Sequence, residues 1–184
     1  MTQFQKGIVL LVISLVLFGC TTPVEHQYQS DYQPDKQPIF VLEEVLTFSQ
    51  FHQGNFQDLR LVNKPHQQLT IGKMVDTNAK TVKTLSFDDT TKIILMPNTR
   101  VKITAFGIEL LPNQQQQSHL FVDHKPLHSK SAFRVKTQYV TIAPIGTQID
   151  LKEHQQDVSM TVVEGHAWMT SNTHKWPYKV IKKK

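Results

Sequence analysis

The chain has one cysteine, Cys20, among 184 residues. No internal disulfide can form, so a domain exported to an oxidising compartment has to rest on its core alone. Catalytic signatures are missing too. There is no Gly-x-Ser-x-Gly elbow and no His-Glu-x-x-His pair, which leaves the common serine-hydrolase and zinc-hydrolase frameworks without a foothold. The basic surplus is small, a formal +5, and no stretch interleaves basic with aromatic residues, so nucleic acid is not an expected partner. Part of that surplus is the terminal run Lys182-Lys183-Lys184, which reads first as a solvated chain end and second as an attraction to anionic lipid or polysaccharide. Long apolar runs are absent beyond residue 19, and the one near the start, Gly7 to Gly19, is shorter than the roughly 20 residues of a membrane span.

That short run ends on the lone cysteine. Lys6 precedes it, and Leu17-Phe18-Gly19-Cys20 closes it. A charge, an apolar stretch and a small residue before the cleavage point are the parts of a secretory signal peptide. The last four residues resemble a bacterial lipobox, whose cysteine is lipidated and becomes the first residue of the mature protein. The competing reading, an uncleaved anchor, is disfavoured by the length of the run. Residues 1–19 are thus expected to be a lipoprotein signal peptide. Residues 20–37, polar and carrying Pro23 and Pro34, form the lipidated cysteine and a flexible tether. Residues 38–184 form a single β domain. Thr21 stands where an inner-membrane retention signal would place Asp, so the expected address is the outer membrane, facing the periplasm. The membrane is then one partner, reached through Cys20.

Past the tether, apolar and polar residues alternate. Thr99-Arg-Val-Lys-Ile103, Phe133-Arg-Val-Lys-Thr137 and Val158-Ser-Met-Thr-Val162 each place apolar residues on one face at period two, the pattern of half-buried strands. Turn residues separate them at Asp88-Asp89, Pro97-Asn98, Pro112-Asn113, Pro144 with Gly146, and Glu164-Gly165. Ile39 to Phe48 is compatible with a short helix or an opening strand, and the alternation of Val41, Glu43, Val45 and Thr47 favours the strand. Pro112 to Lys130 reads as the longest loop, holding a short strand at Leu120-Phe121-Val122. The expected architecture is all-β, an antiparallel sandwich or barrel.

Two stretches resemble the FecR family. The first is Asp89-Thr-Thr-Lys-Ile-Ile-Leu95-Met-Pro-Asn-Thr99-Arg-Val101. The second is Phe133-Arg-Val-Lys-Thr137, then Gly146-Thr147-Gln-Ile149, then Val162-Val-Glu164-Gly165. They are similar to the family's Phe-x-Val-x-Thr, Gly-Thr-x-Phe and Val-x-Glu-Gly series, in the same order, and the resemblance covers about residues 69–170. Thr90 stands in place of a turn glycine and Ile149 in place of a phenylalanine. The resemblance implies a β-sandwich of jelly-roll character. It does not carry over the family's regulator design, because only six residues precede the apolar run and none is left to hold a sigma factor in the cytoplasm.

The residues shared with the family read as architectural. Gly165 after Glu164 suits a tight hairpin. Gly146 suits a bulge or close approach, and Thr147 can bond back to the nearby backbone. Among chemistry candidates, His119, His124 and His128 with Asp123 match no metal-site spacing, and no metal or other cofactor is expected. Glu43-Glu44 and Asp88-Asp89 are adjacent carboxylates, and neighbours in a strand point to opposite faces, so neither reads as an acid–base pair and no enzymatic activity is expected. Trp168, Trp176 and Tyr178 are candidates for stacking on a sugar or peptide, against a plainer role at the edge of the core. The function that fits is a lipid-anchored envelope protein binding or scaffolding another envelope component, a protein or a glycan. The alternative is a periplasmic accessory of an envelope sensing system related to FecR regulators.

Overall fold

The computed structural model describes residues 39–52, 55–88, 90–112, 117–125, 132–155, 157–173 and 179–182. Among the described residues there is no helix, and therefore no helix long and apolar enough to cross a membrane. The strands in chain order are β1 (Phe40–Thr47), β2 (Gln50–His52), β3 (Asn55–Gln57), β4 (Arg60–Asn63), β5 (Gln67–Leu69), β6 (Met74–Asp76), β7 (Thr81–Phe87), β8 (Thr91–Leu95), β9 (Arg100–Thr104), β10 (Gly107–Leu110), β11 (Ser118–His124), β12 (Arg134–Lys136), β13 (Val140–His154), β14 (Asp157–Ser171) and β15 (Lys179–Lys182).

The all-β class holds, and the described residues form a curled mixed sheet without a separation into two packed antiparallel sheets. One sheet of 13 strands runs β4-β1-β7-β8-β11-β13-β12-β10-β9-β6, with β14 and β15 branching from β13 and β5 pairing β1. It curls on itself as a half-barrel. It is also mixed, since β10 and β12 run parallel. The curl has a covalent cause. β5 pairs β1 near one end of the strand path, and β6, reached through residues 70–73, pairs β9 at the other. So short a link cannot span a flat sheet. Two bonds pin the crossing: Gly72 N–H donates to the Ile103 carbonyl (2.8 Å) and Ile103 N–H to the Lys73 carbonyl (2.9 Å).

The concave side holds the core. Phe40, Leu85, Ile93, Leu95, Ile103 and Leu120 are among the fully buried side chains, each contributing about 1.5–3 kcal/mol by leaving water. Rings run across it in series: Phe40 to Phe87 at 4.7 Å, Phe87 to Phe133 at 5.2 Å, then Phe133 to the His124 imidazole at 5.4 Å. Ile149, in place of the family phenylalanine, is buried here as well.

Several turn and loop expectations need correction. Pro144 with Gly146 and Glu164-Gly165 are not turns between strands. They lie inside the long strands β13 and β14, where the pairing register shifts between Ile145 and Gln148. A bulge keeps a strand going while absorbing the extra residue that a turn would otherwise have taken. The stretch after Pro112 is a loop only in part, because β11 occupies Ser118–His124 and pairs with both β8 and β13. In β1 a bulge between Leu42 and Glu44 breaks the expected alternation. Val45 packs against the core instead of sharing a face with Val41.

Candidate functional site

The residues singled out in the sequence fall in three places. Gly146 and Gly165 face each other across the β13·β14 bulge, with φ of +54° and +78°. A Cβ on Gly165 would land on the Gly146 carbonyl oxygen, so the two backbones touch where no side chain fits. Thr147 locks the bulge. Its hydroxyl accepts from Ile145 N–H (2.8 Å), and its one proton faces the carbonyls of Ile145 (2.7 Å) and His166. Gly165 therefore serves a close strand approach and not a hairpin. Glu164 is exposed on β14 opposite Gln148.

Trp168 is half-buried in β14, between Ala143 of β13 and Val180 of β15. Trp176 and Tyr178 lie outside the described residues, as do Cys20, Asp89 and His128. The other two histidines are not brought together, because β11 turns them to opposite faces. His119 points outward and pairs with Asp150 at 2.7 Å; burial lowers its pKa against the opposing pull of Asp150. His124 points inward, fully buried, with Nδ1 2.7 Å from the Thr91 hydroxyl and Nε2 without a partner. Burial, helped by the Arg134 charge, pushes its pKa down to about 4. Among the described residues no three His, Cys, Asp or Glu side chains gather as a metal site would need.

The arrangement that sequence reasoning passed over is built on the β1 bulge. The extra residue turns Glu43 and Glu44 onto the same side of the sheet, where both line an open cleft of about 610 Å³. The expectation that these two carboxylates point apart is thus overturned: period two fails at a bulge. A readable signal existed in the apolar spacing of β1. Phe40, Leu42 and Val45 face the core at intervals of two and then three, and that slip marks an inserted residue.

Strands β7 and β8 floor the cleft with Thr84, Ser86 and Thr91, and the β4–β5 segment walls it with Lys64 and His66. Glu43 accepts from the Ser86 hydroxyl (2.8 Å) and lies 3.1 Å from His66 Nδ1. The Ser86 hydrogen bond above all holds its carboxyl below the usual range. Glu44 sits 3.7 Å from Lys64, and on the far side Asp123 sits 3.3 Å from Lys125. A proton donor needs a raised pKa, and Glu43 is shifted the opposite way. An ionised carboxylate fixed by a serine and a histidine instead offers a ready acceptor for a polar or cationic group.

A family model described as FecR protein matches residues 73–167, just over half of the chain. The match takes in both bulge glycines and Thr147, the cleft floor and Asp123, and it begins after Glu43, Glu44, Lys64 and His66. No curated protein and no solved structure matches the chain.

Proposed function

Because the chain belongs to the FecR family, we propose that it is a non-enzymatic lipoprotein, fastened through Cys20 to the outer membrane, whose FecR-like domain binds or scaffolds another component of the periplasmic envelope. The FecR domain suggests involvement in FecR-like envelope signalling. The observation that carries the binding reading is the cleft at the join between the family domain and the strands before it, lined by oriented, ionised side chains. Glycan and protein ligands both present the hydroxyl, amide or ammonium donors that Glu43 and Glu44 would accept.

Two measurements test this reading. Cys20→Ser protein should lose incorporation of labelled fatty acid and leave the membrane fraction. If it stays lipidated or stays with the membrane, the anchoring half fails. For the binding half, a photo-crosslinking residue at Lys92, exposed in the cleft lining, should capture a discrete envelope component in cells, and Glu43→Gln with Glu44→Gln should abolish the capture. Capture that ignores both substitutions would remove the cleft from the function. The sensory alternative draws its support from the family, and it gains if the captured component is a receptor or a signalling protein.

A further inference from the structure

Eight large apolar side chains are exposed among the described residues, and five of them, Leu59, Leu61, Val62, Ile71 and Met74, fall within one short stretch. Their exposures run from 42 % to 57 %. Scattered singly, exposed apolar residues need no explanation. Their concentration here coincides with a second anomaly. β4 and β6 are the two end strands of the sheet path, and β5 lies beside β4 on the outside of β1. Residues 59–74 therefore form both rims of the half-barrel. All four residues of β4 are exposed, and its backbone is hydrogen-bonded on the β1 side alone. An apolar, unpaired strand edge is a template for another strand.

The charges along this rim select what that strand can be. From Leu59 to Val75 there is no Asp or Glu, while Arg60, Lys64 and Lys73 are all exposed. A second copy laid antiparallel on β4 and centred on Val62 would bring Arg60 of each copy toward Lys64 of the other, and like charges across a strand pair are unfavourable. The same charges favour an acidic strand. We propose that the outer edge of β4 is a docking site for an extended, acidic and apolar segment of a partner protein, added as an extra strand to the sheet. Backbone hydrogen bonds along β4 would hold the segment, Leu61 and Val62 would receive its apolar side chains on the two faces, and Arg60 would pair its carboxylates. The inference stands on the sheet edge, which shares Lys64 with the cleft wall, and is independent of the anchor at Cys20.

The test uses the full-length protein in detergent micelles and three labelled synthetic peptides. One alternates Glu and Val, the second alternates Lys and Val, and the third is the Glu/Val peptide with every other amide N-methylated. Fluorescence anisotropy should show saturable binding of the first, with the lysine peptide at least about fivefold weaker from the lost charge pairs. The N-methylated peptide should lose binding, since it cannot complete the ladder. Bound peptide should slow amide exchange in residues 59–64. Leu61→Pro should abolish binding, and Arg60→Glu, a surface change that spares the core, should reverse the preference toward the lysine peptide. Equal affinity for the N-methylated peptide, no preference between acid and base, or protection that appears only outside the rim would each overturn the proposal. So would a concentration-dependent dimer that protects residues 59–64 without peptide, because the occupant would then be a second copy.

Discussion

Replacing Gly165 and Gly146 by alanine, one at a time, separates two costs that the facing bulge combines. Both glycines have positive φ, +78° and +54°, and an L-residue in that region costs roughly 1–2 kcal/mol. Their surroundings differ. A Cβ on Gly146 meets nothing within 4 Å, so Gly146→Ala carries the dihedral cost alone. A Cβ on Gly165 falls on the Gly146 carbonyl oxygen, 3.0 Å from its carbon and 3.1 Å from Thr147 Cα. Backbone cannot swing aside as a flexible side chain can, so β13 and β14 must separate, at about 1–3 kcal/mol in line with other overpacked sites. Gly165→Ala should therefore lose roughly 2–5 kcal/mol in total, and Gly146→Ala roughly 1–2 kcal/mol. Urea unfolding of both variants measures the difference directly, because the dihedral cost is common to them. Separation of the strands should also break the Thr147 contact with the His166 carbonyl, which joins β13 to β14. The Thr147 amide region should then exchange faster in Gly165→Ala and not in Gly146→Ala. Equal losses in the two variants would refute the close-approach account and leave only backbone conformation.

Two buried groups predict opposite responses to pH. His124 is neutral in the core with its pKa near 4, while the unfolded chain takes up that proton from about pH 6.5 downward. Stability should therefore fall as pH drops from 6.5 toward 4, by about 3 kcal/mol at roughly 1.4 kcal/mol per unit. His124→Leu should flatten that slope in urea titrations at pH 7, 5.5 and 4.5; an unchanged slope would assign it elsewhere. Glu153 is 3 % exposed with Oε2 unpartnered, and burial raises its pKa against the Gln138 N–H bond. Its penalty grows as pH rises above the ordinary carboxylate value. Glu153→Gln keeps an acceptor for Gln138, so it should raise the melting temperature at pH 7 and lose that advantage below about pH 4.5. A gain that persists at low pH would mean packing, and not ionisation, is responsible.

What period two could reveal, the sequence revealed. The strands at Thr99–Ile103, Phe133–Thr137 and Val158–Val162 alternate cleanly and appear as parts of β9, β12 and β14. The register slip in β13 and β14 leaves no mark on that pattern, because a bulge adds one residue without changing composition, whereas the slip in β1 shows in the uneven apolar spacing of Phe40, Leu42 and Val45. Pro144 with Gly146 and Glu164-Gly165 carry turn chemistry, and the same positive φ serves a bulge or a turn; only the partner strand decides which. The curl was illegible for another reason. It depends on residues 70–73 tying β5 to β6 between distant strands, a pairing that no local pattern encodes. The cleft followed the bulge into obscurity: Glu43 and Glu44 were set on opposite faces by the same rule that located the strands correctly elsewhere.

The misread bulge of β13 and β14 lies inside the family stretch, while the bulged carboxylates of β1 and most of the link behind the curl lie before it. Residues 73–167 supply the floor of the half-barrel, the ring series beyond Phe40, and the glycine-locked bulge. Residues 40–72 supply the bulged carboxylates, the cationic wall of the cleft and all of the apolar rim but Met74. β1 is bound to the family part by its whole length along β7 and by Phe40 and Leu42 in the common core. It cannot leave without exposing both. β4 is bound only to the outside of β1 and buries none of its residues. Stability is thus concentrated in β1 and inward from it, while β4 contributes little and opens at little cost. A rim of that kind can accept a partner strand without disturbing the scaffold. On this division, substitutions in β4 should change what the protein binds and leave its unfolding free energy nearly unmoved, whereas substitutions at Phe40 or Leu42 should do the reverse.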